Sequence, residues 1–115
     1  MRNSTNIRER YLRDGLPTRL GGLAANLGRI SSFASRYGSR EVVGSLLDES
    51  KYFIEWTAAA AEISTAAELV ELQVELAGWQ HSWAESWDDF ALRDKVAKRA
   101  RIWSERVLEM SGLLT

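Results

Sequence analysis

The sequence predicts an all-α protein, a single-domain antiparallel four-helix bundle with up-down-up-down topology. Apolar residues recur with alternating spacings of four and three residues along most of the 115-residue chain, which is the period of an amphipathic helix. No long window alternates between apolar and polar residues with a period of two, the pattern expected of strands. Short turns separate the helical segments, so successive helices are expected to pack as antiparallel neighbours.

The N-terminal residues 1–15 are predicted to form an arm or a short helix outside the bundle, which takes up residues 16–115. Asn6 and Glu9 form a weak capping pair for such a helix, and Gly15 would end it. A chain of 115 residues leaves little room for a second domain.

The first two helices of the bundle are predicted at residues 17–37 and from residue 39 to about residue 62. Pro17 suits a first helical turn and Gly38 suits a left-handed C-terminal cap, while Ser39 can cap the helix that follows. Their inward-facing residues are predicted to be Leu16, Leu20, Leu23, Leu27, Ile30, Ala34 and Tyr37 in the first helix, and Val42, Leu46, Glu49, Phe53, Trp56, Ala60 and Ile63 in the second.

The third helix is predicted to begin with a capping box formed by Thr65 and Glu68 and to end near Ser86. Asp88 or Asp89 then offers an N-cap for the fourth helix, which closes the chain. The predicted inward-facing residues are Leu69, Leu72, Leu76, Trp79 and Trp83 in the third helix, and Leu92, Val96, Ala100, Trp103, Val107, Met110 and Leu114 in the fourth.

The residue types that are missing exclude several kinds of site. The chain has no cysteine and one histidine, His81, which excludes disulfides, thiolate metal sites and multi-histidine metal centres. His81 lies about 200° round the third helix from Trp79, on the side away from the predicted core. We therefore predict no catalytic residue, no bound metal and no cofactor.

A stripe of small side chains runs along the first helix and is the predicted partner-binding face. Such a stripe lets another helix approach closely, and glycine inside a helix costs about 1 kcal/mol relative to alanine, so a compensating contact is expected. Residues 58–61, all alanine, or another helix of the bundle could provide this contact; the alternative is a second chain. The small residues are Gly21, Ala24, Gly28, Ser31 and Ser35.

Glu49 is a polar residue at an inward-facing position of the second helix, between Leu46 and Phe53. A carboxylate placed there must be paired, protonated or at the wet edge of the core. Arg99, which flanks the inward stripe of the fourth helix, or another cation is the candidate partner, and Glu49 and Arg99 form a candidate buried polar site.

Charge is strongly segregated along the chain, although the net charge is only −1. Residues 1–40 carry a net charge of +6, residues 41–92 of −10 and residues 93–115 of +3. This segregation favours pairing with a second copy or with a charged partner, unless solvated faces simply balance charge within the monomer. The cations of the fourth helix could instead contact phosphates, and the candidates are Arg93, Lys95, Lys98 and Arg101.

The function favoured by the sequence is a non-catalytic protein–protein interaction or homo-oligomerising module, which acts as a homodimer or binds a protein partner. One alternative is a nucleic-acid-associated regulator that uses the basic N-terminal arm and the fourth helix. A second is small-molecule binding or carboxylate-based chemistry in a tryptophan-lined core, although the five tryptophans are expected mainly to pack the core. The sequence has neither a signal-peptide pattern nor an apolar run of membrane-spanning length, so a cytoplasmic location without membrane contact is expected.

Overall fold

The computed structural model describes residues 4–35 and 40–113, which form helices joined by short turns. The prediction of an all-α protein is confirmed for this part of the chain. Six helices are described where four were predicted. They are α1 (Ser4–Arg13), α2 (Leu16–Ser35), α3 (Arg40–Ala58), α4 (Ile63–His81), α5 (Trp83–Asp88) and α6 (Phe90–Ser111).

The two additional helices come from the N-terminal segment and from a break in the predicted third helix. Of the two alternatives for the N-terminal segment, the short helix is the one observed, as α1. The break lies at Ser82, whose hydroxyl and backbone N–H both donate to the carbonyl of Gly78, at 3.1 and 3.2 Å. A serine that bonds back to the preceding turn in this way commonly bends a helix.

The predicted helix ends are partly confirmed. Asp89 caps α6 as predicted, because its carboxylate accepts hydrogen bonds from the backbone N–H groups of Ala91 and Leu92. The capping box at Thr65 is wrong, since α4 already begins at Ile63. The helix before it ends at Ala58 rather than near residue 62. The predicted caps Gly38 and Ser39 lie outside the described residues.

Hydrogen bonds that side chains make between helices show how the long helices run relative to one another. Asn26 of α2 donates to Glu49 of α3, and Arg19 donates to the carbonyl of Trp56. The residue number falls along α2 as it rises along α3, so the two helices are antiparallel. The same reversal relates α4 and α6, where Arg99 donates to Glu75 and Arg106 donates to Glu68.

The core contains most of the predicted apolar stripes, but α3 is rotated by about one residue. Val43, Leu47 and Ile54 are fully buried there, whereas the predicted core residue Val42 is 45% exposed. Helix α3 contacts both α2 and α4, so the middle of its buried face must lie between those two neighbours. Glu49 is consequently moved to the edge of the core, where it is half-buried.

Helix α1 is attached through Tyr11. Its ring stacks on Phe53 with ring centroids 4.1 Å apart. Its hydroxyl donates to the carbonyl of Arg19 at 2.8 Å and shares a hydrogen bond with Thr57 Oγ1 at 2.7 Å. Burial raises the pKa of Tyr11 to about 12, so the phenol stays neutral. The contact covers the end of the groove between α2 and α3.

Candidate functional site

The outer face of α4 carries a stripe of exposed apolar side chains, which we call the α4 stripe. Ile63 is 90% exposed, Val70 is 53% exposed and Val74 is 69% exposed. Two exposed alanines, Ala67 and Ala77, lie between and beyond them. The spacings of four, three, four and three residues place all five on one side of the helix, over a length of about 21 Å.

The α4 stripe exists because α4 has apolar residues on two faces. The opposite face carries Leu69, Leu72 and Leu76, which are fully buried and hold α4 against the core. Val70 follows Leu69 by one residue and Val74 follows Leu72 by two. Their side chains therefore point about 100° and about 200° round the helix from those leucines. The leucines anchor the helix, whereas more than half of each valine side chain is open to solvent.

Acidic side chains border the α4 stripe on both sides. On the side of α3, the Lys51 ammonium donates to Gln80 Oε1 at 3.0 Å, and the Gln80 amide donates to Asp48 at 3.5 Å. These two bonds show that Asp48 and Lys51 lie on the edge of α3 that faces α4. Glu55 lies one turn further along this edge and is exposed. On the other side, exposed Glu71 follows Val70 directly.

The predicted partner-binding face of α2 is occupied by the same chain. Ser104 of α6 donates to the carbonyl of Ala24 at 2.7 Å, and its hydroxyl would lie 3.5 Å from a Cβ added at Gly28. A Cβ at Gly21 would come within 2.8 Å of Leu113 Cδ1. Helix α6 therefore makes the compensating contact, and the alanines at 58–61 do not. This packing does not support a partner at these three residues.

The other two residues of that face lie near the end of α2. Ser31 is half-buried, and Ser35 is exposed and donates to the carbonyl of Ser32 at 3.2 Å. The five small residues are therefore not one accessible surface: the first three are packed against α6 and its C-terminal turn, and the last is solvated.

The predicted pairing of Glu49 with Arg99 is wrong. Glu49 accepts a hydrogen bond from the buried amide of Asn26 at 3.1 Å, and Asn26 Oδ1 in turn accepts from Arg29 at 2.7 Å. Arg99 lies in the cleft between α4 and α6 and donates two hydrogen bonds to Glu75 there. The rotation of α3 described above turns Glu49 toward α2 and away from this cleft.

Glu75 is the carboxylate with the most hydrogen bonds in this cleft. It accepts two from the Arg99 guanidinium, at 2.9 and 2.7 Å, and one from the Trp103 indole N–H at 3.0 Å. These bonds, with Arg99 the largest cause, hold the pKa of Glu75 below its usual value, and Lys95 contributes to the lowering. The cluster links α4 to α6 and satisfies the indole N–H of a buried tryptophan.

Replacing Glu75 by glutamine is expected to lower the free energy of unfolding at pH 7 by about 1–2 kcal/mol, an amount reduced by the solvent exposure of Arg99. The folded-state pKa of Glu75 is below the unfolded value, so its contribution is present above the unfolded pKa and is lost as pH falls through the folded pKa. The gap between wild type and Glu75→Gln should therefore narrow as the pH falls below the usual range of a glutamate carboxyl.

Urea denaturation at a series of pH values measures this gap. Glu68→Gln is the matched control, since Glu68 pairs with exposed Arg106 but bonds no tryptophan, and a smaller gap is expected for it. A gap for Glu75→Gln that stayed constant from pH 7 to low pH would contradict the assignment.

Three of the four predicted phosphate contacts already have partners in the chain. Arg93 donates to the carbonyl of Trp87 and stacks over its ring, with the guanidinium carbon 4.9 Å from the ring centroid. Lys98 pairs with Asp94 at 2.9 Å, and Arg101 approaches Glu105 at 3.7 Å. Lys95 is exposed beside Lys98, three residues away on the same side of α6, and it lies close enough to Glu75 to lower the pKa of that carboxyl. Each of the four cations is therefore accompanied by a carboxylate or an aromatic ring of the same chain.

The tryptophans are mainly packing residues. Trp83 and Trp103 are buried, and their indole N–H groups donate to the carbonyl of Arg40 and to Glu75. Trp79 is half-buried and lines a cleft of about 370 Å³ between α4, α5 and α6, together with Leu92 and Lys95. This cleft, and a second one of about 370 Å³ that Trp103 lines with Glu68 and Arg106, are two tryptophan-lined cavities relevant to the small-molecule alternative.

The described residues contain no group of three or more His, Cys, Asp or Glu side chains that could hold a metal ion. His81 lies at the exposed C-terminal end of α4. Within the same residues, no helix combines the length and apolar character that crossing a membrane requires.

The α4 stripe was missed in the sequence, although its signal is present there. The leucines of the same helix have the regular spacing of a core stripe, and a second stripe runs parallel to them at Ile63, Ala67, Val70, Val74 and Ala77. Two apolar stripes on one helix indicate two contacts, one of them outside the core.

Comparisons with protein-family models, with curated proteins and with solved structures found no match for this chain.

Proposed function

We propose that this chain is a non-catalytic protein-interaction module in which the α4 stripe docks a helix of a partner. The long helices α2, α3, α4 and α6 would form the antiparallel four-helix bundle that the sequence predicts, with α1 and α5 added to it. The contacts of α2 with α6 and α3, and of α3 with α4, support this arrangement. A cytoplasmic location remains a prediction from the sequence.

The observation that carries the proposal is the exposure of three branched apolar side chains on one side of α4. Scattered single apolar residues on a surface are ordinary, whereas a continuous apolar stripe usually marks an interaction site. Its spacing of four and three residues is that of a helix–helix seam, in which the side chains of one helix insert between those of another. The alanines leave room for such insertion between the larger residues.

Neither of the other functions predicted from the sequence has comparable support. A nucleic-acid regulator would need cations that converge on phosphates, but Lys98 and Arg101 pair with carboxylates of their own helix and Arg93 packs over the Trp87 ring. Carboxylate chemistry at Glu49 would need the Arg99 contact that is not formed. A homodimer would dock through the same α4 stripe, so the experiment below also detects homo-oligomerisation.

Site-specific photo-crosslinking tests the proposal. A benzophenone amino acid placed at Val70 or Val74 of the full-length chain should give a covalent adduct of higher mass in cells that produce the protein. The matched control is the same amino acid at Ala25, which is exposed on α2, and it should give no such adduct. Absence of an adduct at both valines, or equal adducts at Ala25, would refute the proposal. An adduct of twice the chain mass would identify a homodimer.

A further inference from the structure

We propose that the partner docked on the α4 stripe is a separate protein that presents a basic amphipathic helix. This inference rests on the proposed function and adds the chemistry of the partner. The apolar face of the partner helix would lie along Ile63, Val70 and Val74, with Lys or Arg side chains on both flanks. One flank would face Asp48 and Glu55, and the other would face Glu71.

The first argument is the charge around the α4 stripe. Residues 41–92 contain eleven carboxylates, a single Lys or Arg, which is Lys51, and the one histidine, His81. The ammonium of Lys51 is engaged with Gln80 on the α3 edge. The arginines that neutralise Glu68 and Glu75 approach from α6, on the side of α4 away from α3. A docked helix would therefore bring its flanking side chains against an acidic surface, and complementary cations would favour the encounter and fix its orientation.

The second argument excludes a symmetric pair of α4 helices. If α4 of a second copy lay on the stripe, Glu71, Glu55 and Asp48 of one copy would face the same acidic residues of the other. Like charges flanking a helix–helix seam disfavour that pairing. The apolar stripe alone is compatible with self-association, and the acidic borders select against it.

The third argument concerns the basic parts of the same chain. Helix α1 is basic, but Ile7 and Tyr11 are packed against the core, so half-buried Leu12 is the one apolar side chain left and α1 has no apolar stripe to offer. In α6, Lys98 and Arg101 pair with Asp94 and Glu105. Neither helix combines a free apolar stripe with unpaired cations. Neither of these two described helices complements the α4 stripe, which favours a helix from another protein.

The length of the α4 stripe sets the size of the partner segment. The stripe spans about 21 Å, so a partner helix needs about four turns to cover it. Its apolar residues should recur every three and four residues, and its basic residues should occupy the positions next to them.

Two synthetic peptides of 21 residues can serve as probes, and both carry the same leucines and isoleucines at a three-four spacing. One has lysine at the flanking positions and the other has glutamate, so like charges limit the self-association of each. Fluorescence anisotropy with the full-length chain should show binding of the lysine peptide about tenfold tighter than that of the glutamate peptide. Raising the salt concentration from about 50 to 300 mM should weaken the binding of the lysine peptide severalfold.

Variants assign the binding to the α4 stripe and its borders. Val74→Asn should weaken the binding of the lysine peptide about tenfold, because the substitution removes an exposed apolar contact and leaves the charge of the chain unchanged. The double variant Glu55→Gln and Glu71→Gln should reduce the difference between the two peptides. Ala25→Asn, on α2, is the matched control and should change neither affinity. Circular dichroism shows that each variant remains helical.

The outcomes separate this inference from the proposed function. Equal affinity of the two peptides, together with crosslinking of Val70 or Val74 to another protein, would overturn the basic helix and leave the docking function standing. Adducts of twice the chain mass would also overturn it, since the occupant would be a second copy. Tight lysine-peptide binding that Val74→Asn leaves unchanged would place the site elsewhere and overturn it as well.

Discussion

Replacing Gly28 by leucine is expected to lower the free energy of unfolding by about 3 kcal/mol, because the added side chain has no room between α2 and α6. Alanine at the same position is expected to be neutral or to stabilise the protein by up to about 1 kcal/mol. The reason for the difference is the distance of 3.5 Å between an added Cβ and the Ser104 hydroxyl, which is ordinary van der Waals contact. Urea denaturation followed by circular dichroism measures both effects.

The same pair of variants decides whether the small residues of α2 serve the fold or an assembly. Packing against α6 within the chain predicts that Gly28→Leu unfolds more easily at every protein concentration. A variant that kept the wild-type stability of the monomer but lost an oligomer in analytical ultracentrifugation would show that a second chain covers Gly28, contrary to the described contact.

The second large effect is expected at Leu72 of α4. Leu72→Ala should cost about 3 kcal/mol, since the leucine is fully buried and its removal leaves a cavity. Val74→Ala, two residues away, should change the stability by no more than about 0.5 kcal/mol, because Val74 is 69% exposed. Thermal and urea unfolding of the two variants side by side measure which face of α4 is buried.

This comparison also tests the basis of the docking proposal. If Val74→Ala cost as much as Leu72→Ala, the valine would be a core residue and the α4 stripe would not be a free surface. With the expected order, Val74 is available to a partner, and the loss of its methyl groups should weaken peptide binding while leaving the fold intact.

Much of the fold could be predicted because helix period and caps are local properties. Leu20, Leu23 and Leu27 follow one another at three and four residues, and all three are buried as predicted. Asp89 was recognised as an N-cap because a short acidic side chain next to a helical stretch can reach the first free N–H groups. Both inferences use residues within one or two turns of each other.

The candidate site could be predicted only in part. Glu49 was predicted to need a cation such as Arg99, but Glu49 bonds Asn26 of α2 and Arg99 bonds Glu75 of α4. The choice between Glu49 and Glu75 depends on which helices are neighbours, because Arg99 lies between α4 and α6 whereas Glu49 faces α2. The stripe at Val70 and Val74 was equally ambiguous, because a periodic apolar pattern does not say which of two faces is turned inward.

The sequence by itself determined that this protein is helical, where most of its helices lie, and which types of metal and disulfide sites it lacks. Only the tertiary structure decided that α6 covers Gly28, that Glu75 holds Arg99, and that Val70 and Val74 are turned to solvent. The physical reason is the range of the interactions. Backbone hydrogen bonds and caps connect neighbours in the chain, whereas burial of a side chain depends on which helices surround it.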